Sequence, residues 1–296
     1  EMEFYMKMFN SKLIMASILS ASVLVGCGSD KSADANSPVV TSGNLTAALG
    51  ALSNADCVVK NATGDTKLTV ETLSDGTVPF DIETVGSDFP LIISCTGGSY
   101  FDEANPADPL ISNTGTIRSI VPDLATLIAV GGNVAVTTFT DLAVALYNSL
   151  PAGDKTIETA RESLEEIGRI LAPSLVENGG AANLLAAPTP VTAGDTELDD
   201  TPAGIYAAYL AGLAEIADGK SLTPGALGAL LAGQITNGTA IDADTVNNLV
   251  AKAAAFAAGK SFTLTGDTGA GGIAVKPTPT TGTGGTGGTG GTGGGS

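Results

Sequence analysis

Two hydrophobic periods divide this 296-residue sequence, and together they constrain its fold more than any other feature. Apolar and polar side chains alternate through Leu68 and Val70, and again through Val78, Phe80 and Ile82. A step of two places such residues on one face of a β-strand. Farther along, Ile157, Ala160, Leu164, Ile167 and Leu171 follow one another at steps of three and four, which makes a single stripe on a helix. Strands first and helices afterwards, without interleaving, read as α+β rather than as a doubly wound sheet.

The strand half has regular punctuation. Cys57-Val-Val-Lys60 and Lys67–Thr72 flank an Asn-Ala-Thr-Gly-Asp turn, and Ser74-Asp-Gly-Thr77 makes a second turn. Val78–Val85 is the next strand, with Pro79 suited to an edge or a strand start. Leu91–Cys95 ends at Thr96-Gly97-Gly98. Short strands at this spacing predict a small antiparallel β-sandwich over residues 44–122.

Residues 123–262 predict an Ala-rich helical domain. Thr140 can cap a helix that Pro151 stops, and Asp154 or Thr156 can open the striped helix. Thr201-Pro202 and Thr223-Pro224 each supply an N-cap followed by Pro at the first helical position. Asp242 opens a last helix, and Gly219 and Gly259 are placed to end two of them. Glu165 and Arg169 are spaced as an i,i+4 ion pair, and the small Ala and Gly faces predict close helix approach.

The ends follow other rules. With a start at Met6 or Met8, Lys7 and Lys12 form a basic region before the apolar run Leu13–Leu24. About a dozen apolar residues suits a signal peptide, whereas a spanning helix needs about 20. The run closes in Leu24-Val25-Gly26-Cys27, which resembles the lipobox of bacterial lipoproteins. That resemblance implies a signal peptide over 1–26, diacylation of the Cys27 thiol, and membrane attachment through the covalent lipid. Gly28 stands where an Asp would mark inner-membrane retention, so the resemblance further implies the outer membrane. Residues 27–43 read as a lipidated tether, and 263–296, rich in Gly, Thr and Pro, as a flexible tail.

Composition then excludes whole classes. The sequence has no His, which removes His-dependent triads, His general bases and His metal ligands. The formal charge of −18 argues against nucleic acid, which requires clustered Lys and Arg. Glu1 and Glu3 balance Lys7 and Lys12, so the whole −18 belongs to the chain from Cys27 onward. Such a body is repelled by anionic headgroups, so the lipid must do the anchoring.

The turns and the Ile92-Ile-Ser-Cys-Thr-Gly-Gly-Ser-Tyr-Phe-Asp-Glu103 segment resemble carboxypeptidase-regulatory-like modules, which are transthyretin-like or Ig-like sandwiches of bacterial surface proteins. Leu124–Ile128 and Val136–Ala143 resemble the Thr-rich segment that follows such modules, although this chain has Thr138 where the family pattern carries Pro. These modules have no peptidase activity, so the resemblance implies no catalytic residue.

Cys57 and Cys95 remain once Cys27 is lipidated. An even remainder in an envelope protein reads as a disulfide, and two reduced core cysteines are the alternative. Tyr100, Phe101, Asp102 and Glu103, with Asp108, form an acidic loop that is either a ligand contact or an ordinary turn. Asp195, Glu197, Asp199 and Asp200 are candidate calcium ligands, a carboxylate acid–base pair, or a solvated loop before a helix N-terminus. No Gly-x-Ser-x-Gly, P-loop or Ser-x-x-Lys motif occurs. The expectation is a non-enzymatic envelope lipoprotein displaying a binding or assembly surface toward an envelope protein or polysaccharide, with no cofactor beyond its lipid. The alternatives are a carbohydrate- or polymer-binding accessory module and a carboxylate-dependent hydrolase.

Overall fold

The computed structural model describes residues 37–102, 104, 109–176, 180–189, 191 and 197–264. It is a mixed α+β fold with open sheets first and helices after. The strands are β1 (Val39–Ala48), β2 (Asp56–Lys60), β3 (Thr66–Glu71), β4 (Thr77–Thr84), β5 (Leu91–Thr96), β6 (Ser99–Tyr100), β7 (Ile111–Ser112), β8 (Thr116–Val121) and β9 (Val134–Thr137). The helices are α1 (Leu124–Ala129), α2 (Thr138–Ser149), α3 (Ile157–Leu171), α4 (Pro173–Val176), α5 (Ala181–Leu185), α6 (Pro202–Gly219), α7 (Pro224–Thr236) and α8 (Ala243–Gly259). Among the described residues no helix is long and apolar enough to cross a membrane.

One sheet has the order β3-β2-β5-β8 and is antiparallel throughout. The other has the order β4-β1-β9, with β1 antiparallel to β4 and parallel to β9. Strand alternation aims Leu45, Ile82 and Val134 of the second sheet and Val59, Ile93 and Val121 of the first at one narrow apolar space. β6 and β7 form a separate two-stranded ribbon.

Two findings shift the boundaries read from composition. β1 begins at Val39, so residues 39–43 lie in a strand and not in a tether. Val39, Val40 and Thr41 are β-branched, and their backbone pairs with Thr84, Glu83 and Ile82. Beyond residue 122, β9 completes the β1 sheet, and buried residues from Leu45 to Ala253 form one continuous core. Helix α2 joins the halves: Thr138 to Tyr147 are all buried, against β8 on one side and α3 and α7 on the others.

The helix starts follow side-chain capping. Thr156, Thr201, Thr223 and Asp242 each accept the backbone N–H three residues on, as their positions predict. For α2 the cap is Thr137, whereas Thr140 closes a reciprocal box by accepting the Thr137 N–H. The predicted Glu165–Arg169 pair is replaced by Arg169 with Glu166, one turn apart at i,i+3.

The helix ends differ from expectation. Gly219 and Gly259 lie inside the last turns, and the left-handed positions fall on Ser221 (φ 57°) and Ser261 (φ 69°). In both ends the next residue, Leu222 or Phe262, donates back to Ala217 or Ala257, the six-to-one bond of a Schellman motif. That motif needs φ above zero one residue past the cap, and the caps are Lys220 and Lys260. A serine there carries a Cβ penalty that glycine lacks. Ser221→Gly and Ser261→Gly are each expected to stabilise by about 0.5–1 kcal/mol, additively, read as a higher urea midpoint at unchanged slope.

Candidate functional site

Among the described residues that the sequence singled out, the structure brings two together. Cys57 and Cys95 face each other across β2 and β5, with Cα atoms 4.1 Å apart, and form a disulfide whose two residues are fully buried. Cys27, Glu103, Asp108 and Asp195 lie outside the described residues.

The loop after β6 splits by side. Tyr100 is 1% exposed, and its hydroxyl bonds the Thr223 side chain and the Gly225 N–H. Gly225 is the second residue of α7, where the N–H has no partner within the helix. Tyr100 therefore pins the ribbon to the start of α7, and burial pushes its phenol up. Tyr100→Phe is expected to cost about 1 kcal/mol in urea unfolding, since it strips the half-buried Gly225 N–H of its acceptor. Phe101 points the other way and is 44% exposed. Asp102 is buried and accepts the Ala104 N–H, as a residue closing its own turn does.

The second acidic segment is held by its apolar member. Leu198 is buried against Ala207, Ala208 and Phe262, while Glu197, Asp199 and Asp200 are exposed. The Asp199 carbonyl accepts the Thr201 N–H and lies against Gly204, where an added Cβ would fall 2.0 Å from its oxygen. The carboxylates thus stand beside the N-terminus of α6, where the helix dipole favours negative charge. Among the described residues no three His, Cys, Asp or Glu side chains are grouped to hold a metal ion.

Four ion pairs among the described residues escaped sequence reading because their partners are far apart in the chain, Lys252 with Glu215 between α8 and α6 and three others. Asp141, in the first turn of α2, is 5% exposed and takes Arg118 Nε of β8 at 2.6 Å. Burial pushes its carboxyl up against the pull of Arg118. The pair ties sheet to helix, with its carboxylate buried and its guanidinium half-buried. Asp123 caps α1 and binds Arg161 of α3. Asp88, between β4 and β5, binds Lys67 Nζ at 3.1 Å, the Val85 N–H at 2.8 Å and the Asn61 amide at 3.1 Å. An acidic residue close to an apolar stretch, such as Asp88 before Phe89-Pro90-Leu91, was the available signal.

Burial raises Asp88 and Asp123, but their hydrogen bonds and cations outweigh it and hold both below the ordinary 3.8. A depressed folded pKa contributes stability that is present above the unfolded value and lost as pH falls through the folded one. Unfolding free energy is therefore expected to drop on acidification below about pH 3.8. Asp88→Asn should flatten that drop in urea titrations between about pH 5 and 2. Asp141 has the opposite sign: its contribution is lost as pH rises from the acid side.

Comparison with family models, curated proteins and solved structures found no match to this chain.

Proposed function

We propose that this protein is a lipid-anchored component of a bacterial envelope, attached to the outer membrane through Cys27, which displays a non-catalytic surface for an envelope protein or polysaccharide. The observation that carries the reading is the buried Cys57–Cys95 disulfide. Disulfides persist in oxidising compartments and are rare in the cytosol, which agrees with the export signal and lipobox ahead of it. The two sheets are read as the halves of a transthyretin-like or Ig-like sandwich. Their inward-facing side chains support this, and the parallel β1–β9 pair departs from a purely antiparallel one. Among the described residues, Asp88, Asp123 and Asp141 are each engaged by a cation from another element, a structural use of buried and half-buried carboxylates that supports binding over hydrolysis.

Intact-mass analysis of protein extracted from the envelope tests the anchor. The expected chain begins at an acylated Cys27, and Cys27→Ala releases it from the membrane fraction. An unmodified chain, or an unchanged membrane location in the variant, would refute the anchor.

A further inference from the structure

Resting on the binding-surface reading, the geometry points to one end of the sheets as the docking site for a protein segment that carries apolar side chains flanked by Lys or Arg. The β3–β4 connection and the β6–β7 ribbon meet there on the 47–54 segment. Asn54 donates to the Thr72 carbonyl, and Gly76 lies against the backbone of Ala47 and Leu52. Gly50 faces Phe101 so closely that an added Cβ would sit 1.9 Å from its carbonyl oxygen. The β6–β7 register, Tyr100 opposite Ile111, sets Leu110 beside Phe101. This end therefore presents Leu73 (55% exposed), Phe101 (44%) and Leu110 (53%) to solvent. Large side chains left out at the meeting of several elements mark an interaction surface more often than single scattered ones do.

The exposed charge on the segments that carry them has one sign. Residues 49–56, 71–77, 97–102 and 109–116 contain the exposed Asp56, Glu71 and Asp75 and no Lys or Arg, Asp102 being buried in its own turn. The β2–β3 pairing places Asp56 directly opposite Glu71, whereas Lys60 and Lys67 lie toward the other end of the same hairpin. Like charges directly opposite in a ladder weaken the pair, and an incoming cation relieves that cost. A second copy of this chain, at −18, is repelled, as is an anionic lipid surface. A polar cation alone leaves Leu73, Phe101 and Leu110 wet. The chemistry that satisfies both features is a cationic amphipathic polypeptide.

The test uses the full chain in solution and three labelled peptides, of alternating Leu and Lys, Ser and Lys, and Leu and Glu, read by fluorescence anisotropy at physiological salt. The Leu/Lys peptide is expected to bind at least about tenfold tighter than the Ser/Lys peptide, with no binding of Leu/Glu. Phe101→Ser and Glu71→Lys should each weaken it about tenfold, while Glu165→Gln on α3 leaves it unchanged. Circular dichroism checks that the variants fold, and Leu73→Ser replaces either one that does not. Equal binding of Ser/Lys, binding of Leu/Glu, no binding at all, or affinity indifferent to these substitutions would overturn the proposal. So would a dimer in sedimentation that Phe101→Ser dissolves. The assay needs no lipid, so its failure and the failure of the Cys27 anchor are separate results.

Discussion

Replacing both Cys57 and Cys95 with Ala is expected to lower unfolding free energy by about 4 kcal/mol, the largest loss of any change considered for this chain. The disulfide closes a loop of sequence separation 38, and the chain-entropy model assigns about 4 kcal/mol to a loop of that size. Most of this acts on the unfolded chain, which expands when the link is cut, so the urea slope should rise as the midpoint falls. The native strands lose less: β2 and β5 keep a five-residue antiparallel register through Cys57 and Cys95. A loss below about 1 kcal/mol, or an unchanged slope, would show that the link does not restrain the unfolded chain.

Gly212→Val is the second large effect, with an expected cost of about 3 kcal/mol. Gly212 of α6 lies where α8 crosses it. A Cβ there would sit 2.7 Å from the Ala253 nitrogen, 3.1 Å from its Cα and 3.2 Å from the Leu249 carbonyl oxygen. All three atoms belong to the backbone, so relief requires moving one helix off the other rather than turning a side chain. Gly219→Ala, at the end of the same helix, meets nothing within 4 Å and is expected to gain roughly 0.5 kcal/mol from helix propensity. Thermal unfolding of the two variants should shift in opposite directions; two shifts of one sign would contradict the close approach.

Much of this architecture was legible where local chemistry decides it. The stripe from Ile157 to Leu171 and the Thr-Pro starts at residues 201 and 223 specify helices without help from the rest of the chain. The alternation at Leu68–Val70 and Val78–Ile82 does the same for strands. The small-residue faces also read correctly, with Gly212 on Ala253 and Gly228 on Thr138. What stayed hidden depends on distant partners. β1 has no clean alternation because its last four residues are all buried, and its middle, Thr41-Ser-Gly-Asn44, in isolation looks like linker. β9 is buried at every position and too short to show a period.

The candidate site was less legible, and for a related reason. Tyr100 and Phe101 are neighbours in sequence and opposites in role, and only the position of α7 decides which one is covered. The alternatives for Cys57 and Cys95 were separated by register alone, since a disulfide requires that β2 and β5 be adjacent. Asp56 and Glu71 carry no motif and become a pair only through the β2–β3 hairpin.

The placement of β1 between β4 and β9 also orders events in time. Its β4 partner follows within the same local run of chain, but Leu45 must wait for Val134 before its other edge is closed. A polypeptide made from its N-terminus delivers β1, β2, β3 and β4 well before β9. During that interval the edge at Leu45–Ala48, apolar and unpaired, is open to any other extended chain. Closure of a contact this distant is slow relative to hairpin formation. The most aggregation-prone moment in the folding of this chain therefore falls before β9 arrives, and an escort that covers extended apolar segments is of most use to it then.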